Sequence, residues 1–226
     1  MLDDIKISVI GCGYWGKNLV RNFAELGVLY AVCDSNFDNL RAIREKYRQV
    51  KSFSSLEECL SDGNVTALAI ATPAELHYSM IKKALSADKD VFVEKPLALD
   101  VDQGEELLKF AEEKKKILMV DHLLQYHPAI IKLKELIDNR RLGKLQYIYS
   151  NRLNIGKLRT EENILWSFAP HDISVILSLV DEFPQKVRAF GEAYLQRGVY
   201  DTTITDLTFK DRLKAKSVIV VSYTPR

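Results

Sequence analysis

The residues best suited to chemistry begin with a glycine-rich turn between an apolar run and a helical pattern: Gly11-Cys12-Gly13-Tyr14-Trp15-Gly16. Here the first glycine permits a tight turn, the second lets a pyrophosphate approach the backbone, and the third lets helix and strand pack. The helix N-terminus adds free N–H groups and a partial positive charge. The spacing therefore predicts a dinucleotide site that includes Gly11, Gly13, Tyr14, Trp15 and Gly16. A merely tight strand-to-helix turn is the alternative.

Asp34 ends the second apolar run, at about the spacing that a dinucleotide site requires. A carboxylate at this place accepts hydrogen bonds from a ribose 2′-hydroxyl and repels a 2′-phosphate, which favours NAD over NADP. Arg41 and Arg44 lie nearby in the sequence and could instead accommodate the phosphate. The alternative role for Asp34 is to cap the following helix.

Two further segments follow apolar runs, and both carry polar groups. The carboxyl ends of parallel strands face the ligand, so we predict that this edge contributes cofactor contacts from Ala71, Thr72, Pro73, His77, Glu94 and Lys95. Partial burial beside a nicotinamide cation would disfavour the ammonium form of Lys95 and let it transfer a proton. The alternatives are an ordinary helix-surface histidine and a surface ion pair between Glu94 and Lys95.

Pro170-His171-Asp172 precedes an apolar helical segment that ends near residue 180. Proline suits the first turn of a helix. The macrodipole keeps an imidazole at a helix N-terminus neutral, so that it can accept a proton. We therefore predict a helix over residues 171–180 with His171 at its start. A capping or core histidine is the alternative.

The framework that must position these groups alternates two periodicities over the first 120 residues. Short apolar runs occupy residues 5–10, 28–33, 66–71, 90–93 and 117–120, and helical patterns occupy 15–26, 36–47, 76–87 and 100–114. This alternation predicts βαβ units and a parallel sheet covered by helices on both faces. Residues 1–121 are predicted to form a doubly wound α/β Rossmann domain that binds NAD.

The second part of the chain has a different rhythm. It combines a helical pattern at 128–139, a strand at 145–153 and three strands at 186–195, 202–209 and 215–223 joined by short loops. Such loops favour antiparallel pairing, so residues 122–226 are predicted to form an α+β domain with a largely antiparallel open sheet. The sequence stops just after an apolar strand, which suggests a truncated domain or an edge that a partner protects.

The composition excludes several classes of function. The 226 residues include 32 basic and 31 acidic side chains, for a formal net charge of +1, which gives no electrostatic support to nucleic-acid or membrane binding. The acidic N-terminus and the lack of a long apolar run predict no signal peptide and no membrane span. The three cysteines and four histidines lack ligand spacing, so no metal or disulfide framework is predicted. A cytoplasmic protein is expected.

Taken in order, these motifs resemble the Gfo/Idh/MocA family (glucose–fructose oxidoreductase/inositol dehydrogenase). The resemblance spans nearly the whole chain, and Glu94-Lys95-Pro96 is its most specific mark. It implies a Rossmann domain followed by a domain whose open sheet often mediates oligomerisation, and hydride transfer between a sugar carbon and nicotinamide. It also implies that Lys95 and His171 flank the reacting hydroxyl and that Tyr126 and His127 line the substrate pocket.

Within the family, residues 11–18, 154–159 and 166–172 are similar to UDP-N-acetylglucosamine or UDP-N-acetylglucosaminuronate 3-dehydrogenases. This similarity implies that Asn154 and Arg159 contact the sugar or its diphosphate, for which the arginine fork is suited; solvated loop residues are the alternative. Two features depart from the pattern: Ser167 stands where many members carry an aspartate four residues before the histidine, and members usually continue well beyond this length.

We therefore predict an NAD-dependent sugar dehydrogenase that forms a homo-oligomer through its second sheet. The predicted reaction removes hydride from a hydroxyl carbon, C3 of a UDP-linked N-acetyl sugar or its uronate, with Lys95 or His171 taking the hydroxyl proton. The alternatives are a dehydrogenase of a free sugar, inositol or other cyclic polyol, and a non-catalytic NAD(H)-binding protein.

Overall fold

The structure, a computed structural model, describes residues 4–154, 163–195, 197–210 and 214–221, with only the backbone for Asn154 and residues 214–221. The chain divides into two units, Met1–Asp121 and His122–Arg226. Over the residues that the structure describes, no helix is both long enough and apolar enough to cross a membrane.

The first unit contains a six-stranded, fully parallel sheet in the order β3-β2-β1-β4-β5-β6. Its strands are β1 Ile7–Ile10, β2 Leu29–Cys33, β3 Lys51–Phe53, β4 Ala67–Ile70, β5 Asp90–Val93 and β6 Leu118–Val120. Its helices are α1 Gly16–Glu25, α2 Phe37–Lys46, α3 Leu56–Ser61, α4 His77–Ser86 and α5 Val101–Lys114, with a short 3-10 helix at Ala74–Leu76. This strand order is that of two mononucleotide-binding halves that meet between β1 and β4.

The parallel strands form because their apolar runs are buried on both faces. Val9, Leu68, Ile70 and Val93 lie at 0% exposure in clusters that helices complete from either side. The helices begin at side-chain caps, as when Asp100 accepts the Gln103 backbone N–H at 3.1 Å. The predicted doubly wound α/β architecture is confirmed, with β3 and α3 as elements that the periodicity did not indicate.

The second unit contains a four-stranded sheet in the order β7-β10-β9-β8. Its elements are a 3-10 helix at Leu123–Tyr126, α6 Pro128–Asp138, β7 Tyr147–Asn154, α7 Ile164–Val180, β8 Lys186–Glu192, β9 Thr202–Thr208 and β10 Lys214–Val221. The β8, β9 and β10 strands pair antiparallel, as predicted, whereas β7 pairs parallel to β10. The α7 residue Ile176 packs with Leu207 and Phe209 to form the core on one face of this sheet.

The predicted start of α7 is wrong. The helix begins at Ile164, seven residues earlier, because the Asn163 side chain accepts the Trp166 backbone N–H at 3.2 Å and caps it there. Pro170 lies inside the helix, where burial of the apolar face outweighs the one backbone hydrogen bond that proline cannot donate. His171 therefore lies mid-helix, and the argument from the helix N-terminus does not apply to it.

Candidate functional site

The glycine turn after β1 has the three local properties that a dinucleotide site needs. Gly11 has φ +88°, and a Cβ there would lie 2.8 Å from the Ala71 carbonyl oxygen. A Cβ on Gly16 would collide with the Gly11 carbonyl oxygen, so the third glycine closes the helix onto the strand. Around Gly13 no atom lies within 4 Å of such a Cβ. This open backbone, directly before α1, fits a pyrophosphate group.

Asp34 joins the end of β2 to this turn. Its Oδ2 accepts the Cys12 backbone N–H at 2.7 Å and the Asn39 amide at 3.0 Å, and its Oδ1 accepts the Asn36 backbone N–H at 2.8 Å. Three donors leave about one of the four acceptor positions of a carboxylate for a ribose hydroxyl. The cap of α2 is Asn36 and not Asp34, so the alternative role does not hold.

Of the two arginines that could favour a 2′-phosphate, Arg41 has a local partner. Its Nη2 atom lies 2.8 Å from Asp38 Oδ1, and both side chains are more than 70% exposed. The pairing directs the Arg41 guanidinium toward a neighbour in its own helix, which agrees with the preference for NAD.

His77, at the start of α4, connects the ends of β4 and β5. The side chain is 1% exposed. Its Nδ1 lies 2.7 Å from the Pro96 carbonyl oxygen and its Nε2 lies 3.0 Å from the Thr72 carbonyl oxygen. Both ring nitrogens of His77 face backbone carbonyl groups. This placement favours a structural role, in which His77 links the segments that follow β4 and β5, over the direct cofactor contact that the sequence predicted.

Glu94 and Asp121 follow neighbouring strands and form a pair that the sequence analysis missed. The Glu94 backbone N–H donates to the Ile70 carbonyl and the Asp121 N–H to the Val93 carbonyl, at 2.9 and 2.8 Å. The Asp121 carboxyl is one of the groups that raise the pKa of Glu94. The sequence signal was available, since Asp121 directly follows an apolar strand, as Glu94 does.

Burial and this neighbouring carboxyl raise the pKa of Glu94 to about 8, against the opposing effects of the Trp15 indole and Lys95. The Glu94 Oε1 atom is buried and has no hydrogen-bond partner among the described residues. Lys95 itself is partly buried. The carboxyl edge of β5 therefore combines the Lys95 side chain with a partly buried carboxyl group whose pKa is raised to about 8.

In the second unit, His171 lies mid-helix with Ser167 one turn before it on α7. The next residue, Asp172, is 7% exposed. It accepts Ser150 Oγ and Arg152 Nε, each at 2.5 Å, through different oxygens. The β7 strand thus holds Asp172 through both of its carboxylate oxygens.

The family model GFO_IDH_MocA, an oxidoreductase family with an NAD-binding Rossmann fold, matches residues 5–122, just over half of the chain. The chain belongs to the Gfo/Idh/MocA oxidoreductase family. Both the predicted family and its cofactor, NAD, are thereby confirmed. The residues that the glycine turn, Asp34 and the ends of β4 and β5 contribute fit such a cofactor.

Relatives within this family act on different substrates. The chain is 28% identical over 190 residues to UDP-N-acetylglucosamine 3-dehydrogenase from Acidithiobacillus ferrooxidans, covering 84% of this chain and 58% of the relative. It is 25% identical over 218 residues to myo-inositol 2-dehydrogenase from Thermotoga maritima, covering 91% and 65%. The chain thus spans less than two thirds of the length of these curated relatives.

Among solved structures, the chain superposes on the WlbA dehydrogenase from Bordetella pertussis, determined in complex with NADH and UDP-GlcNAcA. The TM-score is 0.89 at 24% identity, covering 98% of this chain and 74% of the other. At this identity the likeness is one of fold, and it agrees with the α/β architecture followed by a second sheet.

The other predicted substrate residues of this Gfo/Idh/MocA chain have mixed placements. Tyr126 is 64% exposed at the end of a 3-10 helix. His127 caps α6, where its Nδ1 accepts the Ala129 backbone N–H at 3.2 Å. Asn154 ends β7; its side chain, like Arg159, lies outside the described residues. These four remain predictions.

A groove of about 540 Å³ in the second unit contains none of the predicted site residues. It is lined mainly by apolar residues of α6, β7, the α6–β7 connection and α7: Leu133, Ile137, Leu142, Leu145, Ile148 and Leu179. Within the residues that the structure describes, no three His, Cys, Asp or Glu side chains cluster as metal ligands would.

The three cysteines are free and buried. Burial raises the pKa of the Cys12 and Cys33 thiols to about 12, with a smaller contribution from neighbouring acidic groups. A thiol must lose its proton to act as a nucleophile or metal ligand. Cys12 in the glycine turn is therefore a small packed side chain.

Proposed function

We propose that this chain carries the site of an NAD-dependent dehydrogenase that oxidises a sugar hydroxyl, at C3 of a UDP-linked N-acetyl sugar or its uronate. The main support is the carboxyl edge of the first unit, which carries an open glycine turn, Asp34 bonded to that turn, and a partly buried Lys95. The similarity to a UDP-N-acetylglucosamine 3-dehydrogenase supports the choice of substrate.

The proposed mechanism assigns a task to each of these groups. The open backbone at Gly13 and the start of α1 hold the pyrophosphate, and Asp34 accepts a ribose hydroxyl. When bound, NAD supplies the hydride acceptor. Lys95 or His171 takes the hydroxyl proton while the other orients the oxygen, and we favour His171 as the base. His77 keeps the backbone beside Lys95 in place through the Pro96 carbonyl.

Inositol or another cyclic polyol is the second candidate substrate. The specific observation in its favour is the similarity to a myo-inositol 2-dehydrogenase, at 25% identity over 91% of this chain. Both candidates use the same hydride-transfer edge and differ only in what the second unit recognises.

We also propose that the free face of the second sheet joins copies of this chain. Paired register places Phe190 opposite Ile204 on the face away from the Leu207 core. Tyr147 and Tyr149 lie on the same face as this pair, with their rings stacked at 6.5 Å. All four are exposed large side chains, between 37% and 61%, and such patches often mark interaction surfaces.

The test is NADH absorbance after the chain is mixed with NAD and a panel of UDP-sugars, free sugars and inositols. We expect NADH with one UDP-acetamido sugar. Lys95→Met is expected to abolish turnover yet leave NAD affinity nearly unchanged, whereas Lys109→Met, on the exposed surface of α5, changes neither. Comparable kcat values for Lys95→Met and the parent would contradict the assignment. Silence across the panel with NAD still bound would favour a non-catalytic NAD(H)-binding protein.

A further inference from the structure

Both ring nitrogens of His77 contact the same kind of group, a backbone carbonyl oxygen. Nδ1 lies 2.7 Å from the Pro96 oxygen and Nε2 lies 3.0 Å from the Thr72 oxygen, and both distances are within the range of N–H···O hydrogen bonds. A carbonyl oxygen can only accept a hydrogen bond. Two hydrogen bonds therefore require a hydrogen on each ring nitrogen.

The charge of the ring follows from this count of hydrogens. A neutral imidazole has a hydrogen on one nitrogen and a lone pair on the other, whereas the imidazolium ion has a hydrogen on both. In either neutral tautomer, one lone pair of His77 would face a carbonyl oxygen at 3.0 Å or less, with no hydrogen between the two atoms. Because two acceptors repel each other, the neutral ring would hold only one of the two carbonyl groups.

The two carbonyl groups form the polar environment of this buried ring. The His77 side chain is 1% exposed, and a buried charge without polar partners would be costly. Within the described part of the chain the ring makes no ion pair, and its hydrogen-bond partners are the two carbonyl oxygens. A hydrogen bond from a charged donor is roughly twice as strong as one from a neutral donor. Two such bonds replace the water that burial removes.

The two carbonyl groups belong to segments with different tasks in the proposed site. Thr72 follows β4 and borders the glycine turn, since a Cβ on Gly11 would lie 3.1 Å from Thr72 Cγ2. Pro96 directly follows Lys95, after β5. The β4 and β5 strands are paired along their length. Beyond the ends of these strands, the His77 ring joins the segment beside the glycine turn to the segment that carries the lysine.

We propose that His77 is a positioning residue that is held as an imidazolium ion at neutral pH and donates one hydrogen bond to each of these two segments. It thereby fixes the distance between the segment that borders the dinucleotide turn and the segment that carries Lys95. The positioning role rests on the proposed function, in which Lys95 contacts the reacting hydroxyl. The charge of the ring does not depend on that function.

The charge is tested by nitrogen NMR of the full chain, isotopically labelled, with neither cofactor nor sugar present. Ring nitrogens with and without a hydrogen differ in chemical shift, and through-bond correlation from the assigned backbone identifies the His77 signals. Near pH 7 we expect a hydrogen on both His77 nitrogens. The internal reference is Nδ1 of His127, which accepts the Ala129 backbone N–H and should carry no hydrogen. A His77 nitrogen without a hydrogen at this pH would overturn the inference.

The positioning role is tested with His77→Gln, which removes the charge and one of the two ring donors. With the sugar that gives turnover, kcat should fall by at least about tenfold, because a small misplacement of a catalytic group is costly, while the Kd for NAD+ should change far less. The matched control is Lys83→Gln, which removes a charge from the exposed surface of the same helix and should behave as the parent.

Equal kcat values for His77→Gln and the parent would overturn the positioning role. If His77→Gln does not fold, the NMR measurement on the parent chain still decides the inference. Because that measurement involves no sugar, an absence of turnover with every sugar would overturn the proposed function and leave the charge of His77 to be judged separately.

Discussion

Replacing Arg152 tests how much of the stability of the second unit depends on one largely buried ion pair. Arg152 Nε lies 2.5 Å from Asp172 Oδ2, and the two side chains are 29% and 8% exposed. Asp172 lies directly after His171 on α7, and Arg152 lies on β7. The pair therefore sets the position of the helix segment that carries the predicted base against its sheet.

The expected cost follows from burial. Removing one partner of a buried pair costs roughly 3–5 kcal/mol, because the other charge is left without compensation. Water can reach the partly exposed Arg152 position, and the Ser150 hydroxyl still donates to Asp172, so we expect about 2–3 kcal/mol for Arg152→Ala. Adding Asp172→Asn removes the stranded charge, and the double variant should recover roughly 1 kcal/mol of that loss.

The assay is urea unfolding followed by the fluorescence of Trp166, which lies on α7, in a Trp15→Phe background. Lys132→Ala is the control, because its ion pair with Glu135 on α6 is about half exposed and should change the unfolding free energy by less than about 0.5 kcal/mol. Additive effects of Arg152→Ala and Asp172→Asn, with no coupling between them, would refute the reasoning.

Two further perturbations act on the first unit. The methyl group of Gly13→Ala meets open space, so this variant should keep its thermal stability but bind NAD more weakly. The methyl group of Gly16→Ala meets the Gly11 carbonyl, so this variant should lose both thermal stability and NAD affinity. Thermal unfolding and titration calorimetry on the two variants check this contrast. Glu94 has a pKa of about 8 in the folded chain, against its ordinary value of 4.5. Its protonation therefore stabilises the folded chain fully below pH 4.5, and this stabilisation is lost as the pH rises through about 8. The linkage is worth roughly 1.4 kcal/mol per pH unit, and we halve it because Glu94 is partly exposed. Between pH 6 and pH 9 the unfolding free energy of the parent should therefore fall by about 1–2 kcal/mol more than that of Glu94→Gln. An equal pH dependence of the two unfolding free energies, measured with urea, would contradict this.

The sheet of the first unit was predictable because its strands are buried on both faces and read as continuous apolar runs. The β3 strand escaped because it has three residues, one of them the exposed Lys51. The six-residue α3 is too short for helical periodicity, although its start is marked: Ser55 accepts the Glu58 N–H, and the Glu58 carboxylate accepts the Ser54 N–H. A local capping signal was present where the periodic signal was not.

The site was predictable where one short segment determines its geometry. The three glycines of the turn have the conformations and contacts that their spacing predicts. The start of α7 was predicted wrongly, because Pro170 suggested the first turn of a helix. The Asn163 cap shows that the helix begins earlier. Asp121 was missed because its contact with Glu94 joins residues 27 positions apart, through strand pairing that no local pattern reveals.

The two acidic positions at the carboxyl edge of the first sheet show how environment assigns different tasks to similar side chains. Asp34 is surrounded by three N–H donors, which suits a carboxylate that acts as an acceptor for ribose. Glu94 meets burial and the Asp121 carboxyl, and both favour its protonated form. Because the strand order places these environments in opposite mononucleotide-binding halves, one sheet edge can offer a hydrogen-bond acceptor to one nucleotide and a carboxyl proton to the other.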